Sequence, residues 1–204
     1  MLEIREASFD EKQVIDRVAE IHVATFQGFF LTFMGKGFLQ QLYLSFCKHS
    51  ESGLLIAVEN KNTIGFLAYS SDYSGLFKFM IRTRLIPFAW YSIGAFFRKP
   101  KVFMRIVRAF LKPSETKRSE SYVELSSIGI DPSCKGKGVG TKLVDALKQG
   151  IDFKKYGYIS LETDAENNEA AIRFYEKNGF VLEREFVTTE GRKMYEYHYI
   201  DGTD

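Results

Sequence analysis

The sequence predicts an α/β protein with a mixed, mostly antiparallel central sheet flanked by helices. Two observations lead there: strand-like runs alternate with helical-period segments through the second half, and two β-rich runs flank a polar turn of hairpin length in the first. The length, 204 residues with 45% hydrophobic and 15% aromatic content, suits a single domain over 1–204 that buries about 70% of its unfolded surface.

Leu2-Glu3-Ile4-Arg5 alternates like a strand, and Asp10 with Gln13 has capping-box spacing ahead of a helix bearing Val14, Ile15, Val18 and Ile21. Residues 26–46 carry seven aromatics, and Gly28, Gly35 and Gly37 predict a break between two helices there. Residues 54–58 and 63–69 form the expected antiparallel hairpin around Glu59-Asn60-Lys61-Asn62.

Residues 73–114 differ from the rest. They hold nine basic residues, no acidic residue and ten aromatics. The chain has 28 Lys+Arg and 26 Asp+Glu, so the segment stands at +9 and the remainder, with 19 basic residues, at −7. We read 73–114 as a basic aromatic helical insertion before the central strand. Val102, Phe103, Ile106, Val107 and Phe110 alternate with Lys101, Arg105, Arg108 and Lys112 as in a basic amphipathic helix, and Pro113, Ser114 and Thr116 mark a linker.

After the linker come a strand at 122–130, a turn at Asp131-Pro132, a glycine-rich loop and a helix at 139–149. A strand at 158–162, a helix at 168–178 and a strand at 180–186 follow, and a turn at 189–192 leads to a last strand near Tyr199.

The net charge of +2 argues against nucleic-acid binding by the molecule as a whole. Cys47 and Cys134 are too few for a disulfide framework and have no zinc spacing, so no metal is expected. A charged N-terminus without an apolar signal core points to a cytoplasmic protein.

The loop Lys135-Gly136-Lys137-Gly138-Val139-Gly140-Thr141 lies between a strand and a helix, a context that binds phosphate. Glycines admit an anion close to the backbone, and the unpaired N–H groups and positive dipole of the helix start complete the cradle. The Walker order is absent, since Gly140-Thr141-Lys142 misplaces the lysine, and the dinucleotide spacing fails because Thr141 or Leu143 stands where its last glycine belongs.

What remains, with Lys135, Gly138 and Gly140, resembles motif A of the GCN5-related N-acetyltransferase (GNAT) family, Q/R-x-x-G-x-G/A, with lysine at the position of Gln or Arg. Asn168-Glu169-Ala170-Ala171-Ile172-Arg173-Phe174-Tyr175-Glu176-Lys177-Asn178-Gly179-Phe180 is similar to the family's N-x-x-A-x-x-F-Y-x-x-x-G-F segment.

The resemblance implies the GNAT fold and an acyl-CoA-dependent N-acetyltransferase that uses acetyl-CoA as co-substrate. It places the CoA diphosphate on Lys135, Gly136, Lys137, Gly138, Val139, Gly140 and Thr141. The pantetheine arm would lie along Ile128, Gly129 and Ile130, with Asn168, Ala171 and Tyr175 as further contacts. Tyr175 would protonate the leaving thiolate. Glu124 matches the position where some members hold the general base. Ideal alternation sets Glu124, Ser126, Ile128 and Ile130 on one face, and Glu124 about 13 Å from Ile128, so a water chain or strand bulge must bridge them. Asn168 also reads as an N-cap, and Tyr175 as a core residue.

Cys134 has no sequence-adjacent histidine to make it a nucleophile, and His22, His49 and His198 show no evident partners. The Phe26 to Thr32 stretch resembles members associated with bacterial surface-polysaccharide synthesis. That implies a small-molecule amine acceptor such as an amino-sugar nucleotide, with Phe29 and Phe30 as candidate substrate contacts. The alternatives are a peptide or protein amine, or a non-catalytic acyl-CoA-binding sensor. Residues 76–112 are a candidate face for peripheral membrane contact or for a homodimer.

Overall fold

The computed structural model describes residues 1–27, 29–98, 100, 121–188 and 191–202. The expected helix at 101–112, the linker after it and Thr189-Glu190 of the last turn lie outside these residues. In chain order the elements are β1 (Leu2–Glu6), α1 (Lys12–Thr25), α2 (Phe30–Met34), α3 (Lys36–Lys48), β2 (Ser52–Glu59), β3 (Asn62–Ser70) and α4 (Tyr73–Arg98). They continue with β4 (Tyr122–Ile130), α5 (Val139–Gly150), β5 (Tyr158–Asp164), α6 (Glu169–Lys177), β6 (Val181–Val187) and β7 (Lys193–Tyr199).

The strands form one seven-stranded sheet in the order β1-β2-β3-β4-β5-β7-β6, the mixed, mostly antiparallel sheet that the sequence predicts. All neighbours are antiparallel except β4 and β5. The β2–β3 turn has Asn60 and Lys61 both at positive φ, the twist-compatible geometry of a two-residue hairpin. Gly35, at φ 95°, separates α2 from α3, a dihedral that a β-carbon would strain.

Alternation divides the core between the two faces of the sheet. On one face Leu55, Leu67, Val123, Leu125, Ile159 and Leu161 pack with Val139, Leu143, Val144 and Leu147 of α5 and Tyr175 of α6. On the other Leu54, Ile56, Phe66 and Ala68 pack with α1, α3 and the first turns of α4.

The capping box does not form. Glu11 stands at the start of α1 without a side-chain cap, because its carboxylate accepts bonds from Arg5 (2.6 and 2.9 Å) and from the Ser8 N–H (2.8 Å). No described helix is long and apolar enough to cross a membrane.

Candidate active site

The two central strands diverge. β4 and β5 are paired only at Tyr122–Tyr158, Val123–Ile159 and Glu124–Ser160, although β4 runs on to Ile130 and β5 to Asp164. Beyond these pairs the sheet opens into a wedge. The Asp131 N–H donates to the Ile64 carbonyl on β3 (2.8 Å). The two-residue period of the strand therefore turns the N–H groups of Ile128 and Ile130 away from β3 and into the wedge. The Ile130 carbonyl, on that side, accepts from the Thr25 hydroxyl of α1 (3.1 Å).

A bulge accompanies the divergence. Ala68 pairs with Ser127 and Tyr69 with Leu125, so Ser126 is an extra residue in β4. This overturns ideal alternation: Leu125 and Ile128 both face the α5 side. Glu124 is paired with Ser70, and Ser127 with Ala68, so both face the side of α1, α3 and α4. Two tyrosines hold the bulge there. Tyr73, the first residue of α4, lies 3.1 Å from the Ser126 hydroxyl, and Tyr43 of α3 lies 3.3 Å from that of Ser127. Behind Tyr43 stands His22, buried at 3% exposure, with Nδ1 2.6 Å from the phenol oxygen. Burial lowers the pKa of His22 to about 4, and it keeps both phenols protonated.

Carboxylates collect at the closed end of the wedge. Leu161 faces α5, so its neighbours Ser160 and Glu162 face the other side, with Glu124. Burial, and after it the charges of Glu124 and Glu162, raise the pKa of Tyr73 on that side. Glu124 pairs with Ser160, so Glu162 stands two residues, about 7 Å, further along β5 and level with the bulge. Glu162 is not among the site residues expected from the sequence; the signal for its place here is the alternation Ile159-Ser160-Leu161-Glu162. Deeper on this face Glu196, 2% exposed, is bonded by Arg184 (2.6 Å) and His198 (2.7 Å). At the rim the Arg192 guanidinium binds Asp164 (2.6 and 2.7 Å) and lies 6.0 Å from the Phe29 ring.

The glycine-rich loop follows β4 through a short 3₁₀ turn at Pro132–Cys134. Gly136 (φ 79°) and Gly138 (φ 74°) are left-handed, and a β-carbon at either would meet nothing within 4 Å. The space above them is therefore open to a ligand, as an anion cradle requires. Gly140 serves a different purpose, since a β-carbon there would come within 3.0 Å of the Phe174 ring, so its absence lets α5 approach α6.

Tyr175 packs against Phe174, Phe180 and Tyr197 in the α5-side core, and burial pushes its pKa up to about 12. Its helix ends as expected on Gly179 (φ 79°), with Gly179 N–H to Glu176 and Phe180 N–H to Tyr175, the paired bonds of a Schellman motif. Asn168 stands at the N-cap position of α6, but its side chain makes no capping bond: its amide donates to the Thr163 hydroxyl (2.7 Å) and the Asp164 carbonyl (3.0 Å), tying α6 to the end of β5. Ala171 packs against the same core. Phe29 is exposed, and the side chain of Phe30 lies outside the described residues. The three histidines do have partners, His49 meeting the Ser52 hydroxyl at 2.9 Å. Among the described residues no cluster of His, Cys, Asp and Glu could hold a metal.

Known proteins share this arrangement. N-alpha-acetyltransferase RimI of Mycobacterium tuberculosis is 33% identical over 75 residues, 35% of this chain and 45% of that protein, so the chain spans less than half of that curated relative. A GNAT-family candidate acetyltransferase from Desulfovibrio desulfuricans superposes with a TM-score of 0.64 at 16% identity, over 98% of this chain and 99% of its own. The ribosomal-protein-S18-alanine N-acetyltransferase of Escherichia coli gives 0.58 at 13% identity, over 100% and 98%. At these identities the two structures attest the fold. Residues 15–180 match the sequence model of the acetyltransferase (GNAT) family, and with that span the chain belongs to this family.

Proposed function

We propose that the protein is an acetyl-CoA-dependent N-acetyltransferase acting on a primary amine, with 1–204 as one domain and 73–114 inserted in it. The observation that carries this reading is the wedge between β4 and β5, running from the Glu124 pairing to the loop at Gly136 and Gly138. One end offers N–H groups for a diphosphate, the middle offers the inward N–H groups of Ile128 and Ile130, and the other end offers carboxylates. An acyl transfer from a thioester to an amine needs that sequence of groups.

In this reading the backbone of Lys135 to Thr141 holds the CoA diphosphate. Ile128, Gly129 and Ile130 pair with the pantetheine amides as an added strand would, and Asn168 and Ala171 line the same channel. The Ile128 N–H polarises the acetyl carbonyl and stabilises the charge that grows on its oxygen. Glu124, with Glu162 closer to the reacting end, draws in the acceptor as an ammonium and takes up its proton through water. The amine nitrogen bonds to the acetyl carbon, the carbon–sulfur bond breaks, and Tyr175 gives its proton to the departing sulfur.

The acidic end of the wedge suits a cationic amine. The amino-sugar nucleotide implied by the resemblance of the Phe26 to Thr32 stretch draws less support, because the basic residues that would suit its diphosphate, Lys78, Arg82 and Arg84, lie along α4 away from its start at the bulge. A peptide α-amine is the second reading, favoured by the similarity to RimI, an N-alpha-acetyltransferase. Incubation with acetyl-CoA and an equimolar mixture of a polyamine, peptides with free N-termini and an amino-sugar nucleotide, followed by mass spectrometry, separates these. A cationic amine or a peptide is expected to gain about 42 Da, the mass added when an acetyl group replaces a hydrogen; acetylation of the nucleotide alone would reverse the preference.

A further inference from the structure

Half of the large apolar side chains that the described residues leave exposed lie on one helix: Ile81, Leu85, Ile86, Trp90, Tyr91, Ile93, Phe96 and Phe97 of α4. The first turns of α4 behave as a surface helix should, with Leu76 and Met80 buried against α1 and α3. From Leu85 the pattern inverts. Phe88 marks the inner side, 4.8 Å from the Phe38 ring, and Ser92 is buried with its hydroxyl donated to the Phe88 carbonyl. At 3.6 residues per turn, Ile86, Ala89, Trp90, Ile93 and Phe97 fall on the opposite side as a stripe about 17 Å long. Ile86 is 83% exposed, Trp90 71% and Phe97 77%. Arg82 and Lys78 precede the stripe on the same side, where a helix in water would go on placing polar residues.

We infer that this outer side of α4 docks the protein on an anionic membrane surface. Charge complementarity selects that occupant over a second copy of the chain. The helix Tyr73–Arg98 carries four basic residues, Lys78, Arg82, Arg84 and Arg98, and no acidic one, so pairing two copies here would bring +4 against +4, whereas an anionic leaflet attracts the helix. The composition agrees: Trp, Tyr and Phe rings beside Arg and Lys are the side chains that settle at the boundary between headgroups and acyl chains. The position agrees too. About 18 Å of helix separates Leu85 from Tyr73 at the bulge, so a docked stripe leaves the acidic end of the wedge accessible to water. The contact is peripheral, because no described helix can span the bilayer.

Trp90 is the chain's single tryptophan, so its fluorescence reports on the centre of the stripe. Vesicles of phosphatidylcholine with one part in three phosphatidylglycerol, by mole roughly the anionic fraction that recruits basic segments, are expected to shift its emission to the blue and to cosediment the protein. Pure phosphatidylcholine vesicles should do neither, and raised salt should reverse the binding. The double variant Ile86→Glu/Phe97→Glu, at two fully wetted positions, is expected to lose roughly ten-fold or more in partitioning while keeping turnover of a soluble amine. Unchanged emission with anionic vesicles, or unchanged cosedimentation of the double variant, would overturn the proposal. So would a blue-shifted emission that depends on protein concentration without lipid, which would assign the stripe to a second copy.

Discussion

Tyr175 combines two properties that an acid for a thiolate leaving group requires. It is buried in an aromatic cluster that fixes the ring, and burial pushes its pKa up to about 12, so the phenol holds its proton throughout the neutral range. Removing only the hydroxyl isolates the chemistry from the packing. Tyr175→Phe should lower kcat by roughly 100-fold, at the low end of what general acid catalysis contributes, while the KM for acetyl-CoA and the melting temperature stay near those of the parent. A variant that turns over at the parental rate would remove Tyr175 from the mechanism.

His22 makes a prediction about stability rather than rate. Its pKa falls from 6.5 to about 4 on folding because burial penalises the charged ring. Between those values the unfolded chain binds a proton that the folded protein refuses, so stability is intact above pH 6.5 and declines as pH falls toward 4. The difference amounts to about 3 kcal/mol at the acid end. Urea unfolding at pH 7 and pH 4.5 should show the loss, and His22→Gln should remove most of it; equal slopes for both proteins would contradict the buried neutral state.

Among the elements, the glycine-rich loop and the bulged strand are the most exacting. Gly138→Ala places a side chain on a left-handed residue at the open floor of the cradle, so it should raise the KM for acetyl-CoA by roughly ten-fold or more, a loss of about 1.4 kcal/mol per decade, with the acceptor KM little changed. Gly140→Ala strikes Phe174 instead and should cost melting temperature as well as affinity. These glycines were legible in the sequence because a strand, a loop and a helix in that order leave few other uses for them. The bulge was not legible: Tyr-Val-Glu-Leu-Ser-Ser-Ile-Gly-Ile alternates well enough to conceal one extra residue, and only the pairing with β3 shows that Ser126 is the surplus. The same holds for the capping box at Asp10, which lost its role because Arg5 on the neighbouring strand captured Glu11. Glu124→Gln tests the other product of the bulge. It should lower kcat/KM and remove the acid limb of its pH profile, and an unaltered profile would shift the base role to Glu162.

For the molecule as a whole, near-neutrality conceals a division of labour. A net charge of +2 is the sum of −7 on the body and +9 on residues 73–114. The acidic share includes the pair at the closed end of the wedge, Glu124 and Glu162, and the basic share includes Lys78, Arg82, Arg84 and Arg98 along α4. The mixed, mostly antiparallel sheet and its flanking helices were legible because each element depends on local alternation and period; the strand order and the parallel β4–β5 junction were not, because strand pairing is set by contacts distant in sequence. The inverted outer face of α4 was not, because apolar residues on both sides of a helix erase the amphipathic period from which its orientation would be read.

Release of free CoA from acetyl-CoA, measured with and without added amine, is the most direct test of the wedge as an acetyl-transfer site. The expected result is release that depends on the amine, saturates with it, and falls in step with the loss of kcat in Tyr175→Phe. Tight binding of acetyl-CoA with no amine-dependent release from any polyamine, peptide or amino sugar would contradict it, and would leave the protein as an acyl-CoA-binding sensor.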